Sequence, residues 1–446
     1  MKKILVLGAG LSTRNLVDYL LDNSVEHDWH ITVGDISEEM ARLKVNGHKR
    51  GEAKVFDIND DMESWRTIAK ADIVISMLPA HMHVLVAEKC IDLRKPMLTA
   101  SYANDQIKKM NEKALKAGIP ILMELGLDPG IDHMSAMNVI NRLKEEGNTI
   151  TSFYSFTGGL VAPESDNNPW NYKISWNPRN VVMAGNGIST FIHNGSYKYI
   201  PYYRLFDRVL SRKILQYGDF EVYANRDSLK YRGIYGLKDV PSIYRGTVRR
   251  PGFAKAWNVF VSLGCTDDTF TIENSEEMTY REYINSFLKY EPHVPVEIKL
   301  QEYCPSASDP VVFDKLKWLG IFDKRKIGIK NATPAQVLQK IIEEKWKMDP
   351  EDKDMIVMQH EFKYNKQNGE SKMIVSAMAC IGKNKSETAM ALTVGLPLGI
   401  ATKLLLTGKI NPKGVVLPIE KEIYEPILAE LKTFGISFEE KEYMMG

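Results

Sequence analysis

Ten residues, Glu124–His133, concentrate side chains able to hold and move protons. Glu124, Asp128, Asp132 and His133 are set there among Gly126, Pro129 and Gly130. Such groups can exchange protons with a substrate, attract a cationic nitrogen, or simply cap a helix. The glycines permit backbone angles that other residues resist. Pro129 disfavours helical angles at Asp128. An apolar run, Ile119–Met123, precedes the stretch and a helical pattern, Met134–Lys144, follows it. The spacing predicts a tight strand-to-helix crossing with acidic side chains presented to a ligand. An ordinary turn capped by Asp132 or Asp128 reads the same residues equally well, so the elements around it must decide.

Those elements begin at the N-terminus. Lys3–Leu7 is a short apolar strand, and Gly8-Ala9-Gly10-Leu11-Ser12-Thr13 follows at once. Leu16, Leu20 and Leu21 then recur at helical spacing, and His30–Val33 is a second strand ending near Asp35. Strand, glycine turn, helix, strand and acid form a dinucleotide-binding unit. Gly8 makes the turn, Gly10 lets backbone N–H groups approach a pyrophosphate, and the helix N-terminus favours its charge. Thr13 stands where a third glycine is usual. Asp35 suits a ribose 2′-hydroxyl and would repel a 2′-phosphate. The reading therefore leans to NAD, with NADP admitted if Arg42 or Lys44 reaches over.

Further strands are expected at Lys54–Ile58, Ala71–Leu78, Lys95–Ala100 and Ile119–Met123, with a helix over Asn104–Ala117. Alternation of strand and helix over roughly 125 residues predicts an α/β fold, a Rossmann-type doubly wound parallel sheet. Ligands of such sheets bind outside the carboxyl ends of the strands. Candidate cofactor contacts are therefore Gly8, Ala9, Gly10, Leu11, Ser12, Thr13, Asp35, Asp57, Ile58, Leu78, Pro79, His83, Ala100, Gly126, Leu127 and Pro129. Tyr102 and Asp128 fall at neighbouring strand ends and are the candidate acid/base pair. His81 and His83 lie two residues apart with no third ligand in view, so no metal is expected.

From Thr149 the texture changes. Ser152–Phe156 alternates like a strand of a mixed sheet. A loop rich in Asn, Pro and aromatic residues runs to Trp176. Gly218–Tyr223 and Ser242–Arg250 are further strands. Thr279–Lys347 is mostly helical. Asp354–Phe362 and Lys372–Ile381 flank Asn368-Gly369, which suits a hairpin. Glu387–Leu406 is a buried helical run, and Tyr424–Phe434 an exposed terminal helix.

Composition narrows the class. A chain of 446 residues, 44% hydrophobic and 26% charged, has the profile of a globular protein of two or three domains. A formal charge of +1 gives no reason to expect nucleic acid or an acidic membrane as partner. Cys90, Cys265, Cys304 and Cys380 lie far apart and read as reduced thiols. No apolar run is expected to reach the ~18 residues of a membrane span, and no signal-type segment is expected at the start of the chain. A cytoplasmic location is expected.

The sequence resembles the glutamate-forming saccharopine dehydrogenases nearly end to end. The resemblance rests on Gly8-Ala9-Gly10, Ala100-Ser101-Tyr102, Glu124-Leu-Gly-Leu-Asp-Pro-Gly-Ile-Asp-His133, Gly158-Gly-Leu-Val-Ala-Pro-Glu164 and Asn168-Pro169. It continues through Tyr172-Lys173, Ser175-Trp176, Asn225-Arg-Asp-Ser228, Arg245-Gly-Thr247, Lys353-Asp-Met-Ile-Val-Met358 and Thr393-Val-Gly-Leu-Pro397. It implies three parts. A Rossmann domain, 1–127, is completed by 388–446. A mixed α/β domain, 128–278 with 353–387, binds substrate and forms a homodimer. A helical subdomain spans 279–352. It also implies oxidation of saccharopine with NAD(P) and water to glutamate and 2-aminoadipate 6-semialdehyde, or the reverse, in lysine metabolism. Saccharopine is a secondary amine with three carboxylates, which bidentate arginines suit. Arg226 and Arg249 are the arginines chosen, with Thr247 and Ser101 as hydroxyl donors and Trp176 beside them. Thr157 stands where the family pattern has cysteine, so a proton-transfer role there is not carried over. The alternatives are a reductase of a related imine such as carboxynorspermidine, and a non-catalytic dinucleotide-binding module.

Overall fold

The computed structural model describes residues 1–445, which divide into two compact units. The first comprises Met1–Thr149 and Cys380–Glu439; the second comprises Ile150–Ala379 and the terminal segment from Glu440.

In the first unit the strands are β1 (Lys2–Leu7), β2 (Trp29–Asp35), β3 (Gly51–Val55), β4 (Ile73–Ser76), β5 (Met97–Leu98) and β6 (Pro120–Leu122). With the late strand Gly414–Val416 they make a sheet in the order Gly414–Val416, β6, β5, β4, β1, β2, β3. Each of these pairings is parallel. Helices cover both faces of such a sheet, so its strands are apolar throughout rather than alternating. Ile4–Leu7 and Ile73–Ser76 are accordingly buried along their whole length. The order reverses beside β1, the place where dinucleotides bind in this class of sheet. The expected helix over Asn104–Ala117 is two, Asp105–Lys109 and Asn111–Ala117, with Asn104 capping the first through Ile107 N–H.

One sequence expectation needs correction. Ala389–Leu406 is a helix of 18 residues with mean hydropathy 1.7, long and apolar enough to cross a membrane by composition. Its apolar window is 72% buried in the protein. Gly395 and Gly399 lie one turn apart, and a Cβ on either would strike Leu16 or Tyr19 at 2.7 Å and 2.5 Å. Their missing side chains let this helix press against Arg14–Asp22, the helix that follows the glycine turn.

The second unit is built on a mixed sheet. Its strands are β7 (Thr149–Val161), β8 (Ile188–His193), β9 (Ser196–Pro201), β10 (Leu210–Lys213), β11 (Asp219–Ala224), β12 (Ile243–Arg249), β13 (Asp354–Asn365) and β14 (Ser371–Ile381). The order is β10, β11, β12, β7, β13, β14 and then the terminal strand Glu439–Met444, while β8 pairs with β12 and β9. β7 and β12 run parallel, and β10, β11 and β12 run antiparallel. The helices read as a separate subdomain over 279–352 share one hydrophobic core with this sheet. Tyr283, Leu316, Ile341 and Trp346 pack in it with Val222, Trp257 and Phe260. Capping boxes at Thr279/Glu282 and Thr333/Gln336 start two of these helices. The terminal strand likewise belongs to this unit rather than completing the first, because its backbone extends the β14 edge.

Candidate active site

The glycine turn leaves β1 at Gly8, whose φ is +99° and whose Cβ would lie 2.9 Å from the Met77 carbonyl oxygen. A side chain there would push β1 away from the end of β4, so glycine is required. Gly10 is different: it is exposed, and nothing lies within 4 Å of a Cβ placed on it. The space over it, at the start of Leu11–Thr13 and the helix behind, is what a pyrophosphate needs. Thr13 takes over from the usual third glycine by donating its hydroxyl to the Gly8 carbonyl at 3.2 Å. The residues present fit a dinucleotide. Asp35, Asp57, Leu78 and Pro79 follow the carboxyl ends of β2, β3 and β4 on the same edge of the sheet, while Ile58 is buried.

Asp35 is not the unencumbered acid that its position in the sequence suggests. Its two carboxylate oxygens accept Ala9 N–H at 2.7 Å and Ser37 N–H at 2.9 Å. The carboxylate thus ties the glycine turn to the end of β2. Lys44 stands near it: burial, then the Arg14 guanidinium, hold its ammonium below the usual range, while Asp18 and Asp35 oppose that shift.

The crossing at 124–133 forms as expected, and its glycines have a specific reason. A Cβ on Gly126 would meet the Ala100 side chain at 2.9 Å, and one on Gly130, at φ +147°, would lie 2.1 Å from the Gly126 carbonyl oxygen. The two glycines let the crossing pack on itself and against Ala100. Gly126, Leu127 and Pro129 are accordingly buried, and the Asp128–Pro129 peptide is cis. Glu124 braces the loop from the inside. It accepts Ala103 N–H at 3.0 Å and meets His133 Nε2 at 2.7 Å, with both side chains buried. Asp132 accepts Gly130 N–H at 2.6 Å and closes the turn.

This bracing presents Tyr102 and Asp128 together. The Tyr102 hydroxyl donates to Asp128 Oδ1 at 2.8 Å, and both residues are half-exposed. Ser101, beside them, is held by His83. His83 is 1% exposed, and burial pushes its pKa down to about 4. Its Nδ1 lies 2.8 Å from Ser76 Oγ and its Nε2 2.7 Å from Ser101 Oγ. His83 thus reaches the half-exposed Ser101 by this hydrogen bond.

The second unit carries a distinct cluster. Arg249 is 3% exposed, with its guanidinium 5.1 Å, 5.3 Å and 5.8 Å from the ring centroids of Tyr172, Phe253 and Tyr223. It donates Nη1–H to the Val248 carbonyl at 2.8 Å, and its buried Nε has no hydrogen-bond partner. Among the described residues no carboxylate pairs with it. Glu221, its partner in register on β11, is occupied elsewhere. The Glu221 carboxylate accepts Gly252 N–H at 3.1 Å and Ala254 N–H, capping the helix Phe253–Leu263. Thr157, buried on β7, also has an unpartnered hydroxyl and is in register with Thr247 on β12. Arg226 is exposed on the turn after β11 with φ +48°.

The loop before Trp176 is scaffold. Trp170 packs among Phe253, Trp257, Phe260 and Trp346. Lys173 and Asp352 form a buried ion pair at 2.5 Å. Trp176 Nε1–H donates to the Tyr172 hydroxyl at 3.0 Å, fixing the ring under Arg249. Nothing in the residue pattern marks Glu221, whose carboxylate caps a helix rather than pairing with Arg249, or Tyr223 in the aromatic cage. Among the described residues no cluster of His, Cys, Asp or Glu could hold a metal.

A parallel sheet with an open glycine turn and an acid-bearing crossing at its carboxyl edge, joined in one chain to a mixed-sheet unit with a buried arginine, defines a dinucleotide-binding protein of two units. The chain belongs to the saccharopine dehydrogenase family. Residues 4–122 match the saccharopine dehydrogenase NADP binding domain, and residues 126–436 the saccharopine dehydrogenase C-terminal domain. The mitochondrial alpha-aminoadipic semialdehyde synthase of Bos taurus is 35% identical over 98% of this chain. The chain spans about half of that relative's length, 47%. Saccharopine dehydrogenase [NADP(+), L-glutamate-forming] of Pyricularia oryzae is 31% identical over 99% of both chains. An apo saccharopine dehydrogenase (L-Glu forming) from Saccharomyces cerevisiae matches in structure with a TM-score of 0.89 and 29% identity, covering 99% of this chain and 100% of that one.

Proposed function

We propose that the protein oxidises saccharopine with a nicotinamide dinucleotide and water, giving L-glutamate and 2-aminoadipate 6-semialdehyde, and runs the reverse condensation. The observation that carries this reading is Arg249: a buried cation, caged by aromatic rings, with no carboxylate of its own. Burying such a charge is costly unless an anion joins it. A substrate with three carboxylates supplies one. The names of full-length relatives support the same substrate.

The bound dinucleotide supplies the hydride acceptor. The chain's own residues do the rest. In the second unit Arg249 and the Thr157 hydroxyl are suited to receive a carboxylate; in the first, Ser101 is a hydroxyl donor. The Asp128 carboxylate, oriented by the Tyr102 hydroxyl, attracts the substrate's cationic nitrogen. It accepts a proton from the amine and passes it to solvent, then takes a proton from the water that adds to the imine carbon and returns it to the nitrogen as the C–N bond breaks. Hydride leaves the carbon next to nitrogen, water supplies the aldehyde oxygen, and the C–N bond breaks to release glutamate.

The cofactor reading moves from NAD to NADP. Both oxygens of Asp35 are held by backbone N–H groups, which offsets its repulsion of a 2′-phosphate, and Lys44 stands near it as a cation. Arg42 is engaged by Glu38 one helical turn away. The family model and the relatives' names favour NADP as well. A cytoplasmic homodimer is carried as part of this proposal; Ile188, Tyr197 and Tyr199, exposed on the β8–β9 hairpin, offer apolar surface for it, and sedimentation of the purified protein measures it.

Initial rates test the reading. Saccharopine with NADP should reduce the cofactor faster than with NAD, and faster than a carboxylated polyamine with either. Turnover of the polyamine alone would replace saccharopine as substrate.

A further inference from the structure

Ser76, His83 and Ser101 form a line of three polar side chains from the buried end of β4 to the half-exposed end of β5. The direction of each hydrogen bond in it can be worked out. Ser76 is fully buried, and its hydroxyl meets one side-chain group, His83 Nδ1, at 2.8 Å. Donating to it at this normal distance satisfies the buried hydroxyl, whereas Thr99 Oγ1, the other hydroxyl facing the ring, lies 3.4 Å from Nε2, too far to set the tautomer. Nδ1 is therefore the unprotonated nitrogen. The ring is neutral, because burial keeps it from charging at ordinary pH, so its one proton sits on Nε2. Nε2–H then donates to Ser101 Oγ at 2.7 Å. The nearby Thr99 Oγ1, at 3.4 Å from Nε2, accepts the Ser101 backbone N–H at 3.3 Å. Since Ser101 Oγ accepts from the histidine, its own proton points elsewhere, and the exposed side of Ser101 is the carboxyl edge of the sheet, next to Tyr102 and Asp128.

We propose that His83, locked by Ser76, is a positioning residue that aims the Ser101 hydroxyl proton at a carboxylate oxygen of the substrate. The proposal rests on saccharopine, or another carboxylate-bearing amine, being the substrate. His83 acts in this through Ser101, its hydrogen-bond partner at 2.7 Å. With the opposite tautomer the Ser101 proton would be spent on the ring, and the hydroxyl would meet a carboxylate with its lone pairs. Ser76 and His83 thus convert a side chain that could accept or donate into a fixed donor.

Two measurements test this. In long-range proton–nitrogen spectra of protein labelled at histidine, His83, assigned by its loss in His83→Gln, should show the Nε2–H tautomer near neutral pH. Ser76→Ala should shift it toward a mixture. In steady-state kinetics Ser76→Ala and His83→Met should raise KM for saccharopine about tenfold, with kcat and the cofactor KM within about twofold. His83→Gln, whose amide can still donate to Ser101, should recover most of that loss. An Nδ1–H tautomer in the wild type overturns the proposal. So does an equal rise in cofactor and substrate KM with no recovery in His83→Gln, which is the mark of a merely structural role. Should His83→Met not fold, Ser76→Ala carries both readouts. Wild-type protein that turns over no carboxylate-bearing amine refutes the substrate reading instead, and the tautomer spectrum still decides the hydrogen-bond direction.

Discussion

Arg249→Met separates ligand binding from stability in a way that the structure makes quantitative. In the free protein the substitution removes the hydrogen bond to the Val248 carbonyl, worth about 1.5–3 kcal/mol for a charged donor. It also removes the contacts with three aromatic rings, worth roughly 0.5–2 kcal/mol. Against these stands relief from burying a cation that is 3% exposed and unpaired, a cost on the order of several kcal/mol. The terms nearly cancel, so the melting temperature should move by only a few degrees. The bound state has no such cancellation. Loss of the cationic partner of a buried carboxylate costs about 2–5 kcal/mol, or roughly thirtyfold to several-thousandfold in kcat/KM for saccharopine. The cofactor KM should stay within about threefold, and saccharopine should no longer raise the melting temperature. The assay is steady-state kinetics beside thermal melts with and without saccharopine. A variant that keeps kcat/KM within threefold would refute the assignment. A variant that loses ~3–5 kcal/mol of stability would show that Arg249 was paired all along.

Asp128→Asn should lower kcat by roughly a hundredfold or more while leaving cofactor binding intact; full activity would remove it as the proton acceptor. Lys44→Ala should raise KM for NADP about tenfold and leave KM for NAD unchanged, and equal effects on both would remove the 2′-phosphate contact. Glu124→Gln breaks a pair whose members are 2% and 0% exposed, and denaturant melts should show a loss of about 3–5 kcal/mol; a loss below ~1 kcal/mol would contradict the bracing role. His83 titrates at about 4 in the folded protein against 6.5 ordinarily. Between those values the unfolded chain binds a proton that the folded protein does not. The stabilising contribution, on the order of 3 kcal/mol, is therefore complete above 6.5 and lost as pH falls toward 4. Melts of His83→Gln should fall less steeply over that window, and parallel curves would contradict this.

Much of the first unit was legible because its signals are local. Continuous apolar runs mark strands buried on both faces, and Gly8-Ala9-Gly10 beside such a run marks the turn. Tyr102 and Asp128 were legible as residues at adjacent strand ends, and the structure joins them by a hydrogen bond. What stayed hidden depends on distant partners. Asp35 reads as a ribose acceptor until Ala9 and Ser37 are seen to occupy it. Arg249 looks like any other arginine in sequence; its burial among aromatic rings, and the loss of Glu221 to a helix N-terminus, show only in the fold. The helices of 279–352 read as a separate body because periodicity shows an apolar face without showing what covers it. Glu387–Leu406 was legible as a buried helical run, but its glycines and proline hid that it is apolar over a full 18 residues, and those glycines bring it against the helix Arg14–Asp22.

Product stoichiometry tests the central claim most directly. Purified protein is incubated with saccharopine and NADP, and reduced cofactor, glutamate and 2-aminoadipate 6-semialdehyde are quantified together. The account predicts equal amounts of all three, with oxygen from labelled water in the aldehyde at early times. Reduced cofactor without glutamate, or no reduction of either NADP or NAD in the presence of saccharopine, would contradict it.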